Sequence, residues 1–155
     1  MKSLIVKEFD SRFSTFIKKH HVFTLATAFE NKAYCANCFY AFAENEKMLV
    51  FTSDNDTTHI KHIKQSSYVA GSIVLETSII GKIQGLQFNG FVQKPEGDEL
   101  TTAKKRYLTR FPIAALMNTT LWTLHLTFAK LTDNRLGFGT KLIWHEEGVS
   151  ISAPS

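Results

Sequence analysis

The chain has 155 residues, of which 44% are hydrophobic and 21% are charged, a composition typical of a globular domain and not of a disordered chain. No apolar run approaches the roughly 18 residues that a membrane-spanning helix needs, and the charged residues from Lys7 to Arg12 argue against a signal peptide. The net charge of +4 is spread along the chain and the cysteines number only two, so we expect one cytoplasmic domain over residues 1–155.

Three helices are predicted. Apolar residues recur at three- and four-residue spacing over 4–17, which predicts a first helix with one apolar face. Capping residues at 54–56 introduce a second helix that runs to Gln65. A third is predicted over 98–110 and is stopped by Pro112; its basic residues are interpreted as a solvated face.

Seven segments rich in Val, Ile, Thr and aromatic residues are predicted to be strands. Glu30-Asn31 and the residues 45–47 predict the turns of two successive hairpins. Gly81, Gly85 and Gly90 fall within one of the predicted strands, where glycine indicates a bulge or sharp coiling. The predicted strands are 21–28, 33–44, 48–53, 68–75, 79–93, 121–131 and 142–144.

This order of elements predicts the fold class. Strands and helices do not alternate as they do in a doubly wound parallel sheet. Six or more strands interrupted by short helices fit an antiparallel barrel that is closed or nearly closed, which leaves few free strand edges. We therefore predict a mainly β (α+β) fold, a six-or-more-stranded antiparallel split β-barrel with short flanking helices.

Cys35-Ala36-Asn37-Cys38 matches the Cys-x-x-Cys pattern, but its position argues against redox chemistry. A redox pair needs its first thiol at a helix N-terminus, whereas this pair lies within a predicted strand. Side chains three residues apart in a strand point to opposite faces, so the two thiols are not expected to form a disulfide.

Other catalytic and metal-binding motifs are absent from the sequence. It contains no Ser-His-Asp set, Walker loop or dinucleotide-binding glycine fingerprint. His59 and His62 lie three residues apart on the predicted second helix, yet no Glu or Cys is placed to complete a metal site. We expect no metal.

The segment from Phe51 to Lys61 is the most informative one. A strand ends in hydroxyl side chains and a helix begins four residues later, which leaves free N–H groups at the helix N-terminus. Thr57, Thr58 and His59 stand beside those groups. Such an arrangement predicts an anion site of the kind that binds phosphate.

Short motifs along most of the chain resemble the FMN-binding split barrels of the pyridoxamine 5′-phosphate oxidase-like superfamily, and more narrowly the small, uncharacterised bacterial YhbP-like proteins. They occur in the same order as in that family. The motifs are Tyr34-Cys35-Ala36-Asn37 with Phe39-Tyr40, Thr57 with His59, Val69-Ala70-Gly71, the run from Gly85 to Gly90, the run from Arg110 to Ala114, Thr132-Asp133-Asn134, the run from Leu136 to Gly139, and the run from Lys141 to Trp144.

The resemblance implies an FMN site at a homodimer interface. The second predicted strand would line the isoalloxazine ring, the third would contact the flavin and its ribityl chain, and the start of the second helix would hold the phosphate. Gln87 and the C-terminal region would approach the flavin from the partner subunit. The implied cofactor-binding residues are Asn37, Phe39, Tyr40, Thr52, Ser53, Thr57, Thr58, His59, Gln87, Lys141 and Trp144.

The chain departs from the family at the phosphate. Related proteins place Arg where this chain has Thr58, and oxidases of the wider family place Lys where it has His59. A flavin phosphate carries close to two negative charges, so losing these cations removes charge-assisted hydrogen bonds. Lys61, Lys82 and Lys141 are the candidates to replace them.

Three functions are compatible with these observations. The first is an FMN-dependent oxidoreductase acting on a small-molecule substrate, which agrees with the lack of an acid–base residue set because the cofactor carries such chemistry. The second is a non-catalytic flavin- or haem-binding module on the same barrel. The third, a basic nucleic-acid-binding barrel, is disfavoured because no strand pair combines exposed aromatic and basic residues. We expect neither nucleic acid nor membrane as a partner.

Overall fold

The computed structural model describes residues 2–148, which form eight strands, three α-helices and three short 3-10 helices. No helix in this range is long and apolar enough to cross a membrane. The 3-10 helices cover Ile80–Lys82, Pro112–Leu116 and Asn134–Leu136. The other elements are β1 (Ser3–Val6), α1 (Ser11–Lys19), β2 (Val22–Phe29), β3 (Lys32–Ala43), β4 (Met48–Thr52), α2 (Thr58–Gln65), β5 (Tyr68–Val74), β6 (Gln84–Gln93), α3 (Gly97–Arg110), β7 (Leu121–Asp133) and β8 (Lys141–His145).

Six of the strands close into a barrel in the order β7–β4–β3–β2–β5–β6, with β6 pairing back onto β7. All of these pairs are antiparallel. β8 lies antiparallel beside the second half of β7, and β1 adds to the outer edge of β8 in parallel. The predicted fold class, an antiparallel split barrel with short flanking helices, is confirmed.

Alternating hydrophobicity places one face of β6 in the core. In β6, Leu86, Phe88 and Val92 are buried while Gln87 and Asn89 between them are exposed. This period of two is the pattern of a sheet with one dry and one wet face. Among the largest fully buried side chains are Phe13, Phe23, Tyr40, Phe51 and Phe88.

The prediction of a helix over 4–17 is wrong in its first half. Leu4 and Ile5 belong to β1, and α1 begins only at Ser11. Asp10 caps α1 by accepting a hydrogen bond from the Arg12 N–H at 2.9 Å, so the start of the helix is set by this cap. Pairing of β1 with β8 overrides the helical spacing of the first apolar residues, because the edge of β8 offers backbone partners that spacing cannot reveal.

The strand predicted over 79–93 also starts later than expected. The 3-10 helix at Ile80–Lys82 precedes it, and β6 begins at Gln84. Of the glycines predicted to mark bulges, Gly90 does so, because the β6–β7 register shifts between Asn89 and Gly90.

The two cysteines are free thiols, as predicted. Cys35 is exposed and Cys38 is buried in the barrel core. Burial raises the pKa of the Cys38 thiol to about 11, so it stays protonated and is a poor nucleophile. The Cys-x-x-Cys pattern is therefore explained by packing, since Cys38 lies in the core and Cys35 on the surface.

Helix α3 packs over the outside of the barrel. Ala103 and Tyr107 on its inner face join Met48 and Val50 of β4 in a small second core. Lys104, Lys105 and Arg106 are exposed, in agreement with the predicted solvated face. Arg110, predicted to belong to that face, instead turns inward to hydrogen-bond three backbone carbonyl groups, because the end of α3 lies against the end of α1.

Candidate functional site

The loop between β4 and α2 brings three polar side chains together: Ser53, Thr57 and His59, called here the hydroxyl–imidazole cluster. The Ser53 Oγ atom lies 2.6 Å from His59 Nε2 and 3.3 Å from Thr57 Oγ1. Thr57 Oγ1 lies 3.4 Å from the same imidazole nitrogen. All three residues were predicted to bind phosphate or flavin, and the structure brings them into one site.

The barrel holds Ser53 from both sides. Its N–H donates to the Thr120 carbonyl at 3.1 Å, and its own carbonyl accepts from Trp122 Nε1 at 3.1 Å. Both partners lie at or just before the start of β7. Because the end of β4 is tied to β7 in this way, the cluster rests on the rigid barrel rather than on a free loop.

The N-terminus of α2 has no side-chain cap. Thr57 occupies the N-cap position, but its hydroxyl donates to the Asp54 carbonyl at 3.0 Å instead of accepting from the helix. The first N–H groups of a helix have no acceptor within the helix, and they carry the positive end of its dipole. By contrast, Asp10 caps α1. The positive end of α2 therefore opens beside the cluster.

His59 is neutral at physiological pH. It is 9% exposed, and burial, followed by the charge of His62, lowers the pKa of its imidazole from 6.5. The cluster thus offers hydroxyl groups, a neutral imidazole and helix N–H groups, while Thr58 and Lys61 are exposed beside it. Within residues 2–148, no group of three His, Cys, Asp or Glu side chains is placed to hold a metal ion.

This burial makes the stability of the protein sensitive to mild acid. The pKa values of His59 and His20 are both lowered by burial, so the unfolded chain takes up protons more readily than the native one. The contribution of these two neutral histidines to stability is fully present above 6.5, their pKa in the unfolded chain. It is lost as the pH falls toward their lowered pKa values in the folded protein. We expect urea denaturation to give a lower free energy of unfolding at about pH 5.5 than at about pH 7.5. His59→Gln should reduce the difference between the free energies of unfolding at the two pH values. A free energy of unfolding that is equal or higher at about pH 5.5 would contradict the lowered pKa of the buried histidines.

Thr52, the last residue of β4, faces α3. Its Oγ1 atom lies 3.2 Å from the Tyr107 hydroxyl, and both line a cavity of about 220 Å³. Lys104 stands at the same cavity. Sequence reasoning did not select Tyr107, whose only signal is a large aromatic residue on a largely polar helix.

The predicted residues of β3 divide between surface and core. Asn37 is exposed and accepts a hydrogen bond from Thr24 Oγ1 at 2.8 Å. Phe39 is 59% exposed and lies edge-on to Phe111, with the ring centroids 5.7 Å apart. Tyr40 has no exposed surface, and its hydroxyl donates to the Ile17 carbonyl at 2.6 Å. Tyr40 therefore packs in the core and offers no surface to a ligand.

The remaining predicted residues lie elsewhere in the fold. Gln87 is exposed on β6, and Trp144 is 3% exposed, with its ring packed against Phe9 at 5.0 Å between ring centroids. Lys141 pairs with Thr132, near the end of β7 opposite to the end beside Ser53. At about 3.3 Å per residue, the two ends of β7 are separated by roughly 35 Å along the strand. Within one chain, Lys141 and Trp144 do not join the cluster.

Comparison with known structures finds the same fold. A haem-binding protein from Mycobacterium smegmatis superposes with a TM-score of 0.72 and 17% identity over 90% of this chain, which spans 60% of that protein's length. A FAD-binding protein from Mesorhizobium loti superposes with a TM-score of 0.66 and 9% identity, and the match covers 80% of this chain and 94% of that protein. A candidate pyridoxamine 5′-phosphate oxidase from Listeria innocua superposes with a TM-score of 0.61 and 9% identity. That match covers 78% of this chain and 95% of the candidate oxidase. At such identities the likeness shows the fold alone, a split barrel.

Relatives in sequence are closer. No family model matches the chain. A UPF0306 protein from Photorhabdus laumondii is 39% identical over 129 residues, which cover 83% of this chain and 90% of the relative. A UPF0306 protein from Serratia proteamaculans is 40% identical, and the match covers the same 83% of this chain and 90% of the relative. On this identity and coverage, the chain belongs to the UPF0306 family.

Proposed function

We propose that this protein binds FMN, with the phosphate at the hydroxyl–imidazole cluster, and acts as a flavin-dependent oxidoreductase on a small molecule. The observation that carries the proposal is the uncapped N-terminus of α2 beside Ser53, Thr57 and His59. An anion placed there would receive hydrogen bonds from the helix N–H groups, and the Thr57 hydroxyl would join them by giving up its bond to the Asp54 carbonyl.

The residues present fit a flavin phosphate through donors and not through cations. Because His59 is neutral and Thr58 replaces a basic residue, the site relies on the helix dipole and on N–H and O–H groups. The bound flavin would supply hydride and electron transfer. The protein would position it: the exposed faces of Asn37 and Phe39 on β3 are available to contact the ring system, while Tyr40 supports that strand from the core.

The second part of the proposal is a homodimer that encloses the flavin. Large apolar side chains are exposed where β3 meets the segment after α3: Phe39 at 59%, Ile113 at 73% and Leu116 at 87%. An exposed apolar patch of this kind is typical of an interaction surface. A second copy would cover it and would bring its own Gln87 and Lys141 toward the flavin. Sedimentation of the FMN-bound protein should give the mass of a dimer, and a monomer at micromolar concentration would contradict this part.

Known flavin and haem proteins with this fold support a cofactor of one of these two types. A haem iron needs an accessible axial ligand such as a histidine nitrogen. His59 is buried and its Nε2 atom is engaged by Ser53, so the cluster itself favours a phosphate over haem iron. A Soret band after addition of haemin, with no response to FMN, would instead favour the haem-binding alternative.

The test compares FMN with riboflavin, which lacks the phosphate. Charge-assisted hydrogen bonds contribute about 1.5–3 kcal/mol each, so two of them should make FMN bind roughly a hundredfold more tightly or better. Thr57→Glu should abolish this preference because its carboxylate would repel the phosphate, whereas Thr58→Arg should strengthen FMN binding. The affinities are measured by quenching of flavin fluorescence.

The matched control is Ser78→Glu, which adds the same charge in the exposed loop between β5 and β6. It should leave the preference for FMN unchanged. Equal binding of FMN and riboflavin, insensitive to Thr57→Glu and Thr58→Arg, would remove the phosphate from this cluster.

A further inference from the structure

A second and larger cavity lies at the other end of the barrel, between α1, β8 and the last residues of β7. Its volume is about 360 Å³, at the lower end of the range for small-molecule sites. Apolar side chains form much of its wall: Leu4, Phe16, Leu131, Leu136 and Leu142. A ligand bound here would therefore bury apolar surface.

The polar part of the wall is strongly basic. Arg12, Lys19, Arg135 and Lys141 all line the cavity, and Asp133 is the one carboxylate in the lining. Arg135 pairs with Asp133 at 2.7 Å, and its guanidinium lowers the pKa of that carboxyl, which is therefore ionised. The cavity thus keeps an excess of positive charge.

Two of the four cations are free to meet a ligand. Arg12 forms an ion pair with Asp10 at 2.8 Å, and Asp10 does not line the cavity. Arg135 forms an ion pair with Asp133. Within residues 2–148, neither Lys19 nor Lys141 forms an ion pair with a carboxylate. An apolar wall beside two such ammonium groups is complementary to a molecule with an apolar body and an anionic head.

This cavity is distinct from the hydroxyl–imidazole cluster of the same chain. Leu121, at the start of β7, pairs with Thr52 beside the cluster, whereas Leu131 and Asp133 at the end of β7 line the cavity. The strand between them spans roughly 35 Å. A ligand in the cavity of one chain therefore does not compete with a phosphate at that chain's cluster.

We propose that this cavity binds an amphiphilic organic monoanion, of which a medium-chain carboxylate is the simplest example. The hydrocarbon chain packs against Leu131, Leu142 and Phe16, and the carboxylate lies at the rim near Lys19 and Lys141. The proposal rests on this cavity alone and not on flavin binding.

The test is a calorimetric titration of the purified protein with decanoate, with decanol as the neutral probe of the same chain length. Decanoate should bind at least about tenfold more tightly than decanol, because one favourable charge contact of about 1.4 kcal/mol is worth that factor. Lys19→Glu should weaken decanoate binding by tenfold or more. Lys105→Glu, an equal change of charge on the exposed face of α3, should leave it unchanged.

Filling the cavity tests its location. Thr15 is exposed on α1 and lines the cavity, so Thr15→Trp should fold and should block the binding of decanoate. Equal affinities for decanoate and decanol, or decanoate binding unaffected by both Thr15→Trp and Lys19→Glu, would overturn the proposal. Loss of FMN binding through Thr57→Glu, with decanoate binding retained, would separate the two sites.

Discussion

Replacing Arg110 with alanine is expected to lower the free energy of unfolding by about 2–3 kcal/mol. The guanidinium donates to the carbonyl groups of Tyr40 and Lys18, each at 3.2 Å, and to that of His20. It also lies over the Tyr40 ring, 5.2 Å from its centroid. One side chain thus joins the end of α3, the end of α1 and the middle of β3, and its loss would leave several carbonyl groups without a donor.

Urea denaturation of three variants separates this effect from a general change of charge. Arg110→Lys should lose about 1–2 kcal/mol, because an ammonium group cannot reproduce the planar fork that reaches three carbonyl groups. Arg106→Ala, one turn earlier on the exposed face of α3, should stay within about 0.5 kcal/mol of the unmodified protein. If Arg110→Ala and Arg106→Ala lower the free energy of unfolding by the same amount, the hydrogen bonds of Arg110 to the three carbonyl groups do not stabilise the fold.

Gly90→Ala is expected to cost at least about 3 kcal/mol, and to lower the melting temperature by roughly 10 °C. A methyl group at this position would lie 2.1 Å from the His125 carbonyl oxygen and 2.8 Å from Leu124 Cδ2. The first contact is with backbone, which cannot rotate away, so β6 and β7 would have to separate where they close the barrel. The expected loss of stability is therefore caused by a steric clash at the β6–β7 pairing and not by the lost flexibility of a glycine.

Gly81→Ala serves as the comparison for thermal denaturation. A methyl group at Gly81 would meet nothing within 4 Å, so this variant should be neutral or slightly stabilising. A melting temperature for Gly90→Ala within a degree or two of that for Gly81→Ala would show that the two strands can separate at little cost.

The strands of the barrel could be predicted because their signals are local. Alternation in β6 and the hairpin turns after β2 and β3 are written into consecutive residues. The same holds for the cluster, since Ser53, Thr57 and His59 lie within seven residues of chain. A strand that ends in a hydroxyl side chain and leads into a helix brings such residues together whatever the rest of the fold does.

The features that could not be predicted depend on distant parts of the chain. β1 forms because the edge of β8 is free, and Arg110 turns inward because α1 ends beside it. Tyr40 and Trp144 match family motifs, but which face of a strand is buried is decided by the sheet around it. Tyr107 was missed for the same reason, since its neighbour Thr52 is 55 residues away in sequence.

The position of β7 in the barrel has a consequence for how the chain folds. β2, β3 and β4 are joined by short turns and can pair early, whereas β4 finds its other neighbour only when Leu121 and His125 meet Thr52 and Met48, across an intervening loop of roughly 70 residues. Closing such a loop is slow, so we expect folding in milliseconds to seconds, with closure by β7 as a late step. Until then, β4 and β6 each present an unpaired edge. Such edges promote association between partly folded chains, so the yield of refolding should fall as protein concentration rises.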